Sequence, residues 1–359
     1  MERDRLFFYE SENSGNPVTV VSVPLELGSD ERGLAAAPAY LKQHGLGEML
    51  LSLGRDVEQV EIACPASQRV ASAGNMKHAE AIVAVAQDTR TQVEKAVRRG
   101  DTVIALGGDH SAALGSIAGA AAVYSSMGLI YIDAHPDCTT DTTTISGNVH
   151  GMIVSSALGQ GNNVLTDLFT HPIRPENVLY IAIKDIDPPE IAFIRDNEIK
   201  YFTMLDIARD GLAPVAAAIE RLSRSVNKVW VSLDLDSIDE RFAPGVAMTT
   251  PDGLTRREIV SLAQHIGKAC DIAGVDIVEI LPAKDRGGVT AKLVLELIAR
   301  LMGQEYSWYK EYMRHYSEIN VANEREVALV RRAQAPAAKG WLPMLSALFQ
   351  RSLGLRQSS

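Results

Sequence analysis

The chain has 359 residues, 46% of them hydrophobic and 22% charged, with a formal net charge of -10 and a pI near 5.4. That length and apolar content suit one large α/β domain with an appendage, and the acidic balance argues against a nucleic-acid partner, which needs a basic face. Three cysteines, Cys64, Cys138 and Cys270, give neither an even set nor a C-x-x-C pair, so a reducing cytoplasm is expected rather than a disulfide framework. The opening residues lack a long apolar core, and no uninterrupted apolar stretch is long enough to span a bilayer, so a soluble, cytoplasmic protein with no membrane partner is expected.

In chain order, Val18–Val23 reads as a strand, Ala79–Arg98 as a helix, Val103–Leu106 as a strand and Ala112–Val123 as a helix. Strands follow at Gly128–Ile132, Val178–Ile183 and Ile199–Phe202, then a helix at Ala213–Leu222 and a strand at Lys228–Val231. A helix at Arg256–Ala269 opens with Thr255 and Glu258 in capping-box spacing, and Val275–Ile280 reads as the last strand. This rhythm predicts a single doubly wound parallel sheet flanked by helices, a three-layer α/β/α domain. It stops near Gln304, so a catalytic domain over 1–303 and a helical extension over 304–359, with a last helix from Trp341 to Leu353, are expected.

The chemistry-bearing residues sit where apolar runs stop. GGDHS (Gly107 to Ser111) follows Val103–Leu106, DAHPD (Asp133 to Asp137) follows Gly128–Ile132, and SLDLD (Ser232 to Asp236) follows Lys228–Val231. In an open α/β sheet the carboxyl edge of the strands is where sites form. Alternate residues of an extended strand share a face, so Asp133, His135 and Asp137 are expected to project together, and Asp234 and Asp236 repeat the device. His110 stands beside Gly107 and Gly108, which permit a tight turn and close backbone approach. Four carboxylates crowded together cannot all stay ionised without cations. With two imidazoles added, the set implies a two-metal hydrolase that takes Mn²⁺, Co²⁺, Ni²⁺ or Zn²⁺ rather than Ca²⁺.

Taken in order, GGDHS, DAHPD, SGNVHG (Ser146 to Gly151), SLDLDSID (Ser232 to Asp239) and DIVEILP (Asp276 to Pro282) resemble the motifs of the ureohydrolase (arginase/agmatinase) family, from about Val18 to about Met302. The resemblance implies that Asp133 and Asp234 bridge two divalent ions, Mn²⁺ first, with Ni²⁺ or Co²⁺ as alternatives. His110 and Asp137 would complete one site, and His135 and Asp236 the other. It also implies that Asp137 orients the attacking hydroxide, that Glu279 accepts the N–H fork of a guanidinium, and that His150 shuttles a proton to the leaving amine. A guanidinium carbon is resonance-stabilised, so hydrolysis to urea and an amine needs the strong nucleophile that such ions generate at neutral pH.

For the substrate, Lys184-Asp185-Ile186-Asp187-Pro188 resembles the arginase branch, in which the second aspartate, here Asp187, helps to bind an α-ammonium. Thr144, Ser146 and Asn148 fall in the loop that arginases use for the α-carboxylate, which favours conversion of L-arginine to L-ornithine. Three departures leave agmatine, a guanidino acid or a small guanidine or biguanide open: Thr139 stands at a carboxylate-contacting asparagine, Asp141 adds charge to the loop, and Ala247-Met248-Thr249 replaces G-T-P. Two other classes compete. Cys138 could serve a metal-independent, deiminase-like route, or the chain could be a non-catalytic scaffold subunit of a ureohydrolase assembly. The family commonly forms trimers or hexamers, so a homo-oligomer is expected, with a hetero-oligomer with a related subunit as the alternative. The stripe Trp341, Leu342, Leu345, Leu348 and Phe349 is expected to support it.

Overall fold

In the computed structural model of the chain, residues 15–65 and 75–304 are described. Eight strands form one all-parallel sheet: β1 (Val18–Val23), β2 (Val57–Glu61), β3 (Thr102–Gly107), β4 (Met127–Ile132), β5 (Val178–Ile183), β6 (Lys200–Thr203), β7 (Lys228–Asp234) and β8 (Ile272–Val278). Their spatial order is β2-β1-β3-β8-β7-β4-β5-β6. Side chains of a strand alternate between the two faces. Ile104, Leu106, Ile130 and Ile132 accordingly join one buried cluster, while Val103, Ala105, Leu129 and Tyr131 join another. Because both faces of the inner strands are buried, β3, β4 and β5 read as largely apolar runs, whereas the edge strands β2 and β6 are partly exposed and more polar.

Helices cover each face. The helix Ala79–Arg99 packs on Ala113–Ala121 on one side, and Arg256–Ala269 packs between Ala213–Ser225 and Val289–Leu301 on the other. The capping box at the start of Arg256–Ala269 forms, since Glu258 N–H donates to Thr255 Oγ1 and Thr255 N–H donates to Glu258 Oε2 at 2.8 Å. The three-layer, doubly wound arrangement is therefore as expected. Sequence reading missed β2 and the helices Ala37–Gln43, Leu46–Ser52, Pro188–Asp196, Met204–Asp210 and Val289–Leu301. The extension expected from 304 onward, beyond Gln304 itself, and the helix expected over Trp341–Leu353 lie outside the described residues. No helix among the described residues is long and apolar enough to cross a membrane.

Candidate active site

The four central neighbours of the sheet, β3, β8, β7 and β4, deliver the chemistry at their carboxyl ends. His110 opens a 3-10 turn (His110–Ala112) three residues after β3, Glu279 directly follows β8, Asp234 is the last residue of β7, and Asp133 directly follows β4. The expected device of alternating residues on an extended strand is not what brings the ligands together. β4 ends at Ile132, the chain bends through Ala134 and His135, and Asp137 has a left-handed φ of 48°. Asp236 likewise lies in a 3-10 turn (Leu235–Ser237) instead of one pleat beyond Asp234, and Asp236 N–H donates to Asp234 Oδ1 at 2.9 Å. Turns can aim several carboxylates at one point, whereas a pleat would space them along a face. Glu279 also sits at a positive φ, 63°. Sparsely populated backbone conformations of this kind persist where surrounding structure over-determines them, commonly at functional sites.

Two ligand-type triads result. Donor atoms of His110, Asp133 and Asp137 lie within 4.8 Å of one another, as do those of Asp133, His135 and Asp236. His110 Nδ1 is 3.1 Å from Asp133 Oδ2, 3.2 Å from Asp137 Oδ2 and 3.1 Å from Asp234 Oδ2, and His135 Nδ1 is 3.1 Å from Asp236 Oδ2. His110 Nε2 meets Ser232 Oγ at 2.9 Å, which fixes the ring and leaves Nδ1 facing the carboxylates. Asp133 Oδ2 is buried and, despite its proximity to His110, has no hydrogen-bond partner of acceptable geometry. An orphaned buried carboxylate oxygen between two ligand triads fits a pair of divalent cations.

The electrostatics agree. Burial, with Asp236 and Asp137 adding, pushes the Asp133 carboxyl up to about 6, and burial with Asp236 and Asp133 holds Asp234 well above the usual carboxylate range. Burial opposes protonation of His110 and His135, but the surrounding carboxylates outweigh it and raise both imidazoles. Metal ligands must be deprotonated, so divalent-cation affinity should rise with pH through about 6 as Asp133 ionises, and further as the raised imidazoles lose their protons. For the metal-free fold the sign is opposite. Asp133 titrates higher folded than unfolded, so its stabilising share is complete below about 4 and lost as pH rises through about 6. The gap in Tm between Mn²⁺-loaded and metal-free protein should therefore widen from about pH 5 to about pH 7. Melting curves that keep a constant gap would contradict this.

Above the triads lies a cleft of about 350 Å³ lined by His135, Asp137, Asp234 and Asp236 at one end. Thr139, Thr144, Ser146, Asn148, His150, Asp187 and Glu279 also line it, so every residue expected to contact substrate borders one space. Glu279 Oε1 accepts from His110 N–H at 2.8 Å, and His150 Nδ1 lies 3.5 Å from the same oxygen. Burial disfavours the protonated His150, yet Glu279, Asp137 and Asp109 raise it to about 9. Thr139 Oγ1 donates to the Gly151 carbonyl at 2.7 Å. Asp187 is exposed at the rim. Sequence reading missed Glu190, a buried cleft residue pushed up to about 7 by burial and by Asp137. Its signal was available: Glu190 stands at the N3 position of a helix whose N-cap is Asp187, and Asp187 N–H donates to Glu190 Oε2 at 3.1 Å.

The sequence model of the Arginase family matches residues 16–303. The chain belongs to the arginase family. An arginase from Bacillus caldovelox is 34% identical over 295 residues, which cover 80% of this chain and 99% of that protein. The native structure of an arginase from that species at pH 5.6 superposes with a TM-score of 0.79 at 33% identity, covering 82% of this chain and all of the other. The structure of Entamoeba histolytica arginase in complex with L-ornithine gives 0.77 at 30% identity, over 81% of this chain and 100% of that one. This arginase-family chain is thus a hydrolase of the ureohydrolase class. The competing Cys138 route loses its support, because the thiol is buried, does not line the cleft, and is pushed far above its ordinary value by burial and by Glu190.

Proposed function

We propose that the chain hydrolyses a guanidino compound to urea and an amine at a site holding two divalent cations, with L-arginine giving L-ornithine as the first assignment. The observation that supports it is the convergence of two ligand triads sharing Asp133 on the floor of a cleft that also holds Glu279 and His150. Asp133 and Asp234 would be shared between the ions, His110 and Asp137 would complete one site, and His135 and Asp236 the other. Bound there, the ions, Mn²⁺ by family and Ni²⁺ or Co²⁺ by ligand chemistry, supply Lewis acidity and lower the pKa of water.

The protein's own groups do the rest. Glu279, held by the His110 N–H, presents its carboxylate to the planar guanidinium fork. Asp137 lines the cleft and orients the attacking water. His150, whose proton is favoured by Glu279 and Asp137, stands beside the guanidinium position to protonate the leaving amine. Thr144, Ser146 and Asn148 form the side of the cleft that would meet an α-carboxylate, and Asp187 the rim that would meet an α-ammonium.

One observation favours a second substrate, an amine without the carboxylate such as agmatine. Thr139 has its hydroxyl committed to Gly151, and Met248 adds an apolar wall. Urea release measured with L-arginine, agmatine, a guanidino acid and a biguanide decides between them. L-Arginine should give the highest kcat/KM, and Asp187→Ala should lower it by up to about fivefold, since an exposed pair contributes about 0.2–1 kcal/mol. Preference for agmatine, with no effect of Asp187→Ala, would overturn the L-arginine assignment and leave the hydrolysis intact.

A further inference from the structure

The hydroxyl of Tyr131 sits among the ligand-type side chains. Tyr131 is fully buried on β4, two residues before Asp133, in a stretch whose neighbours are all apolar. Its ring lies parallel to the His110 imidazole, with centroids 4.9 Å apart at 1°, and meets Tyr180 edge-on at 5.7 Å. The hydroxyl donates to Asp137 Oδ2 at 2.7 Å and lies 3.2 Å from His110 Nδ1. It has one proton to give. If His110 presents the Nδ1 lone pair to an ion, its own proton is on Nε2 and faces Ser232, so Nδ1 has nothing to donate to the phenol. The phenol proton therefore goes to Asp137.

Asp137 needs that hold. Its φ of 48° is a conformation an aspartate adopts at a cost, and its backbone carbonyl is anchored by Val154 N–H at 2.9 Å, which fixes the main chain but not the carboxylate. Tyr131 supplies the side-chain constraint. We infer that Tyr131 is a positioning residue for the metal site formed by His110, Asp133 and Asp137, orienting the Asp137 carboxylate through its hydroxyl. The inference rests on the dinuclear reading above. Partners that orient a metal ligand are typically worth about 10–100-fold in metal affinity, and the effect here is expected at one of the two ions because the Tyr131 hydroxyl hydrogen-bonds none of Asp133, His135 and Asp236.

The test is Mn²⁺ titration of the full-length metal-free protein by calorimetry, comparing the natural chain with Tyr131→Phe, which keeps both ring contacts and removes one hydroxyl. The natural chain should take up two ions. In the variant one dissociation constant should rise about 10–100-fold while the other stays within about twofold, with the metal-free Tm little changed. A Co²⁺-loaded sample should show an altered visible spectrum for one ion only. Unchanged constants for both ions, or both weakened equally with a lowered metal-free Tm, would overturn the positioning role. A natural chain that binds fewer than two ions would instead overturn the dinuclear reading beneath it. The near-ultraviolet tyrosine difference spectrum of the natural chain on adding Mn²⁺ gives a check that needs no variant: a perturbation saturating with one ion is expected, and its absence counts against the inference.

Discussion

Asp133→Ala and Asp234→Ala should each lower urea release by about a thousandfold or more and reduce the bound metal below two ions per chain. Asp133 contributes to both triads, and its Oδ2 is the buried oxygen that the protein leaves without a hydrogen bond. Asp234, at the end of β7 beside β4, lies 3.1 Å from His110 Nδ1 and is almost fully buried. Losing a shared ligand removes several kcal/mol of transition-state stabilisation, and each 1.36 kcal/mol is a tenfold change in rate. The metal-free variants should also be less stable than the metal-free natural chain, since each leaves a backbone N–H, that of His135 or of Asp236, without its carboxylate acceptor. Elemental analysis, urea release and melting of the same preparations check all three. Near-natural turnover in either variant would contradict the shared-ligand assignment.

Glu279→Gln should separate substrate recognition from metal binding. The amide oxygen can still accept from the His110 N–H, so the local fold survives, but the carboxylate proposed to meet the guanidinium is gone. Truncating one partner of a buried charge pair costs about 2–5 kcal/mol, a loss of about thirtyfold to several thousandfold in kcat/KM. Two ions should still bind, because Glu279 belongs to neither triad. A variant with natural kcat/KM for L-arginine would remove Glu279 from the guanidinium site, and one that loses its metal would make it a structural support of the cluster.

What could be read from the sequence follows burial. β1 and β5 match their expected limits of Val18–Val23 and Val178–Ile183, because both faces are covered and the residues are mostly β-branched or apolar. β2 was missed because it is a half-exposed edge strand, Val57-Glu58-Gln59-Val60-Glu61, with only two apolar residues in its five. The helix Pro188–Asp196 was missed although its start is legible, since proline at N1 after an aspartate N-cap is a helix start. At the site, the ligand residues were legible because strands end on them, but their convergence was assigned to the wrong geometry: the bend after β4 and the positive φ of Asp137 leave no trace in residue spacing. Tyr131 was illegible for the opposite reason. Within Gly-Leu-Ile-Tyr-Ile it reads as core, and its ring is core; only the structure shows that the hydroxyl ends among carboxylates.

The dinuclear hydrolysis is tested most directly by urea release from L-arginine during stepwise addition of Mn²⁺ to thoroughly chelated protein. Activity should be absent at the start, rise with added ion and saturate at two equivalents per chain. Urea formation in the chelated sample, or full activity with one equivalent while the second ion remains unbound, would contradict it.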